Sequence, residues 1–279
     1  DEILPILADL TNAKGVIVRA DESMAKREGL ILPAPTVAEG AAASDAKAGK
    51  AVREPLRTWG DVPTEPVFVV ENGLRFGVDL LGGQKTGFYF DQRENRRAAS
   101  GYCRGKNVLD VCTYTGGFAL TCAKLGEAKE VTAIDSSARA LVLAAANAEL
   151  NGLTNIKFEQ GDCFKTLANY NLEGRKFGMV VLDPPKFAAE RRALDDAIRA
   201  YERLNTSAIN LLEPGGILVT CSCTGSVTRE DFSYILASVA ARTRRHLQIL
   251  EMRGAAPDHP VSASCLETEY LKCFICRVI

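Results

Sequence analysis

Two short stretches of this chain combine the residue types that chemistry needs. Asp183-Pro184-Pro185-Lys186-Phe187 follows one apolar run, and Thr220-Cys221-Ser222-Cys223-Thr224-Gly225 ends another. Prolines stop a strand and hold the backbone stiff and extended. Asp183 is therefore a carboxylate fixed where a strand ends, which a simple turn does not require. Alternate side chains of an extended segment share a face, so positions 219, 221 and 223 belong together. Cys221 suits a small buried apolar position. Cys223 lies at the strand exit just before a turn, and it is the candidate nucleophile.

A third stretch, Thr113-Tyr114-Thr115-Gly116-Gly117-Phe118-Ala119-Leu120, sets adjacent glycines between a strand and a helix, where backbone can approach a ligand closely. It is not G-x-G-x-x-G, so the dinucleotide-binding reading weakens. Roughly 20 residues further on, Asp135-Ser136-Ser137 ends the next strand, a position from which an acidic side chain accepts hydrogen bonds from ribose hydroxyls. Asp135 or Ser136 could instead cap the following helix. Gly161-Asp162-Cys163-Phe164 places another carboxylate after the third strand, suited to an adenine amino group or to a cap. Other groupings offer less. Cys273-Phe274-Ile275-Cys276 has C-x-x-C spacing, but no second pair or nearby histidine completes a metal site, and on a strand its thiols face opposite ways. His246 and His259 are the only histidines, too few for a conventional Ser–His–Asp arrangement. Arg191-Arg192 and Arg242-Thr243-Arg244-Arg245 suit either phosphate contact or a solvated face.

The elements that must position these residues follow from periodicity. Strands are expected at Val108–Cys112, Glu130–Ile134, Ile156–Gln160, Met179–Leu182 and Gly216–Cys221, with helices over 141–150, 193–212 and 231–242. Apolar strands alternating with helices imply an α/β, doubly wound parallel sheet covered on both faces, with ligands outside the carboxyl ends of its strands. Val261 to Ile279 is expected to add a late strand pair. Ahead of this sheet, Val67–Glu71 and Leu74–Val78 flank Asn72-Gly73, the dipeptide of a type I′ hairpin. Asp91 is the expected N-cap of a charged helix. Ile3 to Leu10 reads as a helix end, Gly15–Arg19 as a strand, and Val37–Gly49 as an exposed loop. The organisation expected is a smaller α+β accessory domain over residues 1–87 and a main domain over 88–279.

Composition narrows the classes. The chain has 279 residues, 47% hydrophobic and 25% charged, which excludes a disordered or fibrous chain. A net charge of -1 leaves no bulk cationic field, so nucleic-acid binding must use local patches or another domain. Nine irregularly spaced cysteines fit reduced thiols in a cytosol, and no apolar run is long enough for a membrane helix. The chain starts without Met or a signal peptide, so an upstream domain is expected to be missing.

Glycine loop, Asp135, Asp162 and Asp-Pro-Pro in this order resemble a class I S-adenosylmethionine-dependent methyltransferase. More narrowly, the chain resembles the bacterial large-subunit ribosomal RNA methyltransferase I family, which makes 5-methylcytosine in 23S RNA. The similarity rests on Lys85-Thr86-Gly87-Phe88-Tyr89-Phe90-Asp91-Gln92-Arg93, Tyr114-Thr115-Gly116-Gly117-Phe118-Ala119, Asp183-Pro184-Pro185-Lys186-Phe187 and Ser222-Cys223-Thr224-Gly225. His259-Pro260-Val261, Tyr270-Leu271-Lys272 and Cys276-Arg277-Val278 add to it, from about residue 15 onward. That family begins with a small RNA-binding PUA domain, which nothing here matches. A sister family of cytosine-5 methyltransferases has Pro-Pro-Cys where Pro184-Pro185-Lys186 stands, and its catalytic cysteine falls in register with Cys223 when counted from Gly215-Gly216. Cys112, Cys163 and Cys221 depart from the common family residues and read as packing choices.

The resemblance implies methyl transfer from S-adenosyl-L-methionine to C5 of a cytosine, with Cys223 adding to C6, Asp183 held by Pro184 and Pro185 on the cytosine edge, and Lys186 joining those prolines in positioning the substrate. It implies Tyr114, Thr115, Gly116 and Gly117 around the methionine portion, Asp135 on the ribose, Asp162 near adenine, Ser136 and Cys163 also among the cofactor-binding residues, and Gln92 and Arg93 lining the same cleft. No metal is implied. The partners implied are ribosomal RNA or a partly assembled large subunit in the cytoplasm, no membrane, and a homodimer as an option. The alternative is methylation of an exocyclic guanine nitrogen with Cys223 incidental. A dinucleotide oxidoreductase and a non-catalytic RNA-binding factor fit the motifs less well.

Overall fold

The computed structural model describes residues 3–19, 29, 35–36, 52–53, 57–63, 66–187 and 193–279. The chain divides into two compact units, Asp1–Val69 with Gly77–Phe88, and Val70–Phe76 with Tyr89–Ile279. The Val37–Gly49 loop and Arg191-Arg192 lie outside the described residues. No helix among the described residues is long and apolar enough to cross a membrane.

In the first unit, helix α1 (Ile3–Thr11) precedes β1 (Gly15–Val18), where a helix end and a strand were expected. Two short strands, β2 (Pro35–Thr36) and β3 (Val52–Arg53), pair with each other, and β1 pairs antiparallel with β4 (Arg57–Gly60). The Arg19 guanidinium donates to the carbonyls of Leu80, Gly83 and Lys85 at 3.1, 2.7 and 3.0 Å, pinning the turn that follows residue 79. The hairpin forms as its turn residues dictate. β5 (Val67–Glu71) pairs with β6 (Leu74–Val78), and Asn72 and Gly73 take φ of 51° and 79°, the left-handed values of a type I′ turn.

The second unit is built on a seven-stranded sheet. A 3₁₀ turn (Phe90–Gln92) leads into α2 (Arg93–Ser100), β7 (Asn107–Val111), α3 (Gly117–Lys124), β8 (Glu130–Asp135), α4 (Ala138–Leu150), β9 (Ile156–Gln160) and α5 (Cys163–Leu172). Then come β10 (Phe177–Leu182), α6 (Leu194–Leu211), β11 (Leu212–Ser222), α7 (Arg229–Thr243), β12 (Leu247–Arg253) and β13 (Lys272–Val278). The strand order is β12-β13-β11-β10-β7-β8-β9, with β9, β8, β7, β10 and β11 parallel and β13 antiparallel between β11 and β12. This is the doubly wound α/β sheet expected from the apolar strands. The chain leaves β7 toward β8 and later returns to its other side at β10, so the topological switch point falls between β7 and β10.

Both faces are covered. Leu109, Val111, Val180, Leu182, Leu218, Phe274 and Cys276 pack with Leu167, Tyr201, Leu204, Ala208, Phe232 and Ile235 from α5, α6 and α7. Residues of opposite parity, such as Val108, Met179, Val181 and Val219, are equally buried on the other side, where α3 packs on β7 and β8. Asp110 is the one charged residue inside β7.

Three expectations need correction. The late strand pair is not contained in 261–279: β13 pairs with β12 (Leu247–Arg253), and residues 262–268 hold only an isolated Ser262–Cys265 bridge and a 3₁₀ turn. Leu247–Arg253 alternates weakly and lies at a sheet edge, so its half-exposed pattern gave little periodic signal. Asp91 does not cap α2. It lies inside the 3₁₀ turn, and its carboxylate accepts a hydrogen bond from the Tyr270 hydroxyl at 2.6 Å. The α4 cap is neither Asp135 nor Ser136 but Ser137, whose hydroxyl accepts from the Ala140 N–H at 3.2 Å.

Candidate active site

The glycine loop joins β7 to α3 in an unusual backbone. Cys112, Tyr114 and Gly116 all take left-handed φ, at 64°, 52° and 88°. A non-glycine residue pays for that conformation, so surrounding bonds must hold it. One oxygen of Asp135 accepts from the Tyr114 N–H at 2.8 Å and the other from the Ser137 N–H at 2.8 Å. The Thr115 carbonyl accepts from Asn147 at 3.2 Å. At Gly116 the left-handed φ strains any side chain, and a Cβ there would lie 2.5 Å from Leu120 Cδ1, which would have to shift. Gly117 is buried against Arg96, where a Cβ would lie 3.1 Å from its Cδ. Arg96 itself is locked by Glu71 at 2.7 and 2.6 Å. Asp162 caps α5 through the Lys165 N–H at 3.0 Å. Ser136 is exposed and gives its carbonyl to Gln160. Cys163 stands at the start of α5 against Cys112, whose thiol that contact and burial push up.

Across the switch point, β10 and β11 bring the other two motifs together. Cys223 is half-buried, and its thiol donates to the Pro184 carbonyl at 3.8 Å. The Phe187 N–H donates to Thr224 Oγ1 at 3.3 Å, so the Asp-Pro-Pro segment is tied to the Cys223 segment at both ends. Pro184 is buried, whereas Pro185 and Lys186 are exposed. Cys221, one pleat repeat back, is fully buried opposite Cys273. Burial pushes the Cys223 thiol up to about 11, and the Asp183 carboxylate adds to that. Burial, then the nearby Asp110 charge, pushes the Asp183 carboxyl up to about 7, against a hydrogen bond from Gln92. Gln92 Nε2 donates to Asp183 Oδ1 at 2.9 Å. Arg93 turns elsewhere, to Glu94 at 3.2 Å and Asp258 at 3.3 Å.

Residues 42–271 match the family model described as S-adenosylmethionine-dependent methyltransferase. The chain belongs to that family. A ribosomal RNA large subunit methyltransferase I of Aeromonas salmonicida is 47% identical over 220 residues, which cover 78% of this chain and 55% of that protein. One of Tolumonas auensis is 41% identical over 281 residues, which cover 100% of this chain and 65% of that protein. The chain thus spans between about half and two thirds of the length of these relatives. A SAM-dependent methyltransferase of Streptococcus mutans has the same fold, with a TM-score of 0.70 and 23% identity over 78% of this chain and 57% of that one.

The donor set of this S-adenosylmethionine-dependent methyltransferase family member suits the cofactor that names the family. Asp110, Asp135, Asp162 and Asp183 come from neighbouring strands or their carboxyl ends, a carboxylate-rich rim matched to a ligand with cationic sulfur and ammonium groups. Asp110 was missed by the sequence reading. Its Oδ2 accepts from Thr113 at 2.6 Å and from the Ala119 N–H at 2.9 Å, while its Oδ1 is buried without a hydrogen-bond partner among the described residues. Burial pushes this carboxyl up to about 6, and the two donors oppose the rise. A charged residue in mid-strand among apolar neighbours was the signal available.

Lys272 is a second omission. Its side chain is buried, and its ammonium donates to the carbonyls of Thr224 and Tyr270 at 2.8 and 2.9 Å, beneath the Cys223 turn. Burial lowers it to about 8, and negative charge on Cys223 works the other way. Tyr89 also faces this site: its ring meets Tyr114 edge-on at 5.4 Å, and burial, then the neighbouring Tyr114, Asp183 and Cys223, raise its hydroxyl. Two arginines of the 242–245 cluster bond within the chain. Arg242 pairs with Glu202 at 2.9 Å, and Arg245 donates to the carbonyls of Leu212, Glu213, Val278 and Ile279. Cys273 and Cys276 are both core residues of β13 on opposite faces.

Proposed function

We propose that this chain methylates C5 of a cytosine in large-subunit ribosomal RNA, using S-adenosylmethionine and a transient covalent bond to Cys223. The observation that carries this reading is the juxtaposition of a half-buried thiol and a carboxyl at one rim, with Cys223 Sγ 3.8 Å from the carbonyl of Pro184, the residue after Asp183. The similarity to ribosomal RNA large subunit methyltransferases I supports the substrate class.

Cytosine C5 is too weakly nucleophilic to take a methyl group unaided. Cys223, as a thiolate, adds to C6, and the displaced electron pair makes C5 nucleophilic enough to take the methyl group; a base then removes the C5 proton, and the pair left behind re-forms the C5–C6 double bond and expels the thiolate. Asp183 holds the N3 and N4 edge, and Pro184 and Pro185 keep it rigid. Lys272 favours the thiolate by its charge and holds the Thr224 carbonyl, which fixes the turn. Lys186, exposed beside the rim, meets the RNA. Tyr114, Thr115, Gly116, Gly117, Asp135, Ser136, Asp162 and Cys163 hold S-adenosylmethionine, which when bound supplies a methyl group on a positively charged sulfur. The target base must leave its stack to reach this rim. The reaction belongs in the cytoplasm, where large subunits are assembled.

Ribosomal RNA fragments carrying 5-fluorocytosine test the reading. Fluorine blocks the loss of the C5 substituent that precedes elimination, so a covalent adduct is expected on Cys223 in the presence of S-adenosylmethionine. An adduct on Cys221 would refute the assignment of the nucleophile. Methylation that survives Cys223→Ala without any adduct would refute the thiol mechanism and favour an exocyclic guanine nitrogen as target.

A further inference from the structure

Gln92 is positioned by a hydrogen-bond chain whose direction has no alternative. An arginine has only donors, and a backbone carbonyl only accepts. Arg253 Nε donates to Asn95 Oδ1 at 3.1 Å, so the Asn95 oxygen must face Arg253. The Asn95 Nδ2 group then faces the other way, donating to the Gly254 carbonyl at 2.9 Å and to Gln92 Oε1 at 2.7 Å. With its oxygen so engaged, Gln92 has only its Nε2 to offer Asp183 Oδ1, at 2.9 Å. Arg253 is anchored in turn by Glu251 at 2.7 Å and the Glu94 carbonyl at 3.4 Å. Gln92 and Asn95 are both buried, whereas Asp183 is half-buried and its Oδ2 takes no hydrogen bond from the described residues.

We propose that Gln92 is a positioning residue that keeps the Asp183 proton on Oδ2, facing the substrate, so that Asp183 donates it to N3 of the cytosine as Cys223 adds to C6. This rests on the cytosine reading above. It gives Gln92 a different task from lining the cofactor cleft. The Gln92 N–H on Oδ1 is met best by a carbonyl oxygen, which accepts more strongly than the hydroxyl oxygen of a carboxylic acid, so the acidic hydrogen favours Oδ2. In the addition step the sulfur–C6 bond forms and the C5–C6 π pair moves toward C4. The C4–N3 π pair ends as a new N3–H bond, and the Asp183 O–H bond breaks. The carboxylate left behind is stabilised by the Gln92 N–H, and the same proton returns on elimination.

Other groups face Asp183 from every side. Asp110 of β7 and Asp91 of the 3₁₀ turn favour its neutral form, and Arg96 of α2 favours the charged one. Tyr89, Cys112, Cys221, Tyr201 and Cys223 are coupled to it by charge. Its carboxyl titrates near 7, so the donor form is present at neutral pH and lost as pH rises.

Carboxyl NMR of protein labelled with ¹³C-aspartate tests this directly, with the Asp183 signal assigned by its loss in Asp183→Asn. Gln92→Leu removes a donor that favours the carboxylate, so proton binding at Asp183 should tighten about tenfold. The alkaline limb of single-turnover methylation should move up by the same factor while the maximal rate falls, and S-adenosylmethionine affinity by calorimetry should stay unchanged. If Gln92→Leu does not fold, Asn95→Asp takes its place, since it frees the Gln92 amide to turn its oxygen to Asp183, and the same tightening is expected. An unchanged Asp183 titration in a folded variant would overturn the proposal, as would a loss of cofactor affinity with that titration intact. A tightened titration in a protein that never forms the 5-fluorocytosine adduct would leave the orientation of Asp183 standing and refute the cytosine reading instead.

Discussion

The two halves of the sheet rim are held in different ways. On the β7–β9 side, the acidic residues are fixed by backbone close to them in the chain or one strand away, and Asn147 of α4 holds the Thr115 carbonyl. Asp135 binds the Tyr114 and Ser137 N–H groups, Asp162 caps its own helix, and Gly116 supplies a left-handed turn. On the β10–β11 side, side chains are fixed by partners far away in sequence. Asp183 is bound by Gln92, Gln92 through Asn95 by Arg253, and the Cys223 turn is held by Lys272. The first half resembles a standard cradle built from local rules. The second buries acid, thiol and ammonium together, which shifts their proton affinities and makes that half depend on the complete fold.

Substitutions on the β10–β11 side should therefore have the larger effects. Cys223→Ala should lower single-turnover methylation by about 10³-fold or more while S-adenosylmethionine binding persists. Cys221→Ala should keep most activity per folded molecule, and loss of activity from it alone would mean that the reactive thiol has been misplaced.

Asp183→Asn should reduce the rate by about 10²-fold or more, the range of a lost proton donor. It also tests the cost of burying this acid. The folded carboxyl titrates near 7 against an ordinary 3.8, so the folded state binds the proton more tightly than the unfolded one. Wild-type stability from this group is intact below pH 4 and declines as pH rises through 7. The Tm advantage of Asp183→Asn should thus be absent at pH 4 and fully developed above pH 7. A difference in Tm that does not vary with pH would show that Asp183 is not buried as an acid.

Lys272→Met should destabilise the fold by about 2 kcal/mol, since the Thr224 and Tyr270 carbonyls lose their donor. It should also shift the pH profile of Cys223 alkylation upward, because a positive charge that favours the thiolate is gone. An unmoved profile would separate the two groups electrostatically.

Changes on the β7–β9 side should be milder. Asp135→Ala should weaken S-adenosylmethionine binding about tenfold, measured by calorimetry, through loss of an acceptor and loosening of the Tyr114 turn. Ser137→Ala should cost about 1 kcal/mol in denaturant unfolding and leave methylation per folded molecule unchanged. If its effect on activity exceeded that of Lys272→Met, the contrast between the two halves would fail.

The sequence by itself determined the parallel sheet, the hairpin at Asn72-Gly73, the glycine loop and the thiol to examine. Each of these depends on periodicity, on the φ that a residue tolerates, or on prolines ending a strand, and all are local properties. It could not place Leu247–Arg253 as the partner of β13, because an edge strand is only half-buried and alternates weakly. Nor did it find Ser137 as the cap in place of Asp135 or Ser136, since neighbouring acceptors compete and helix geometry selects one. Asp110, Lys272 and the Arg253–Asn95–Gln92 chain were decided by tertiary structure alone. Their meaning comes from burial and from partners up to 159 residues away, and a buried polar group is defined by what surrounds it rather than by what precedes it in the chain.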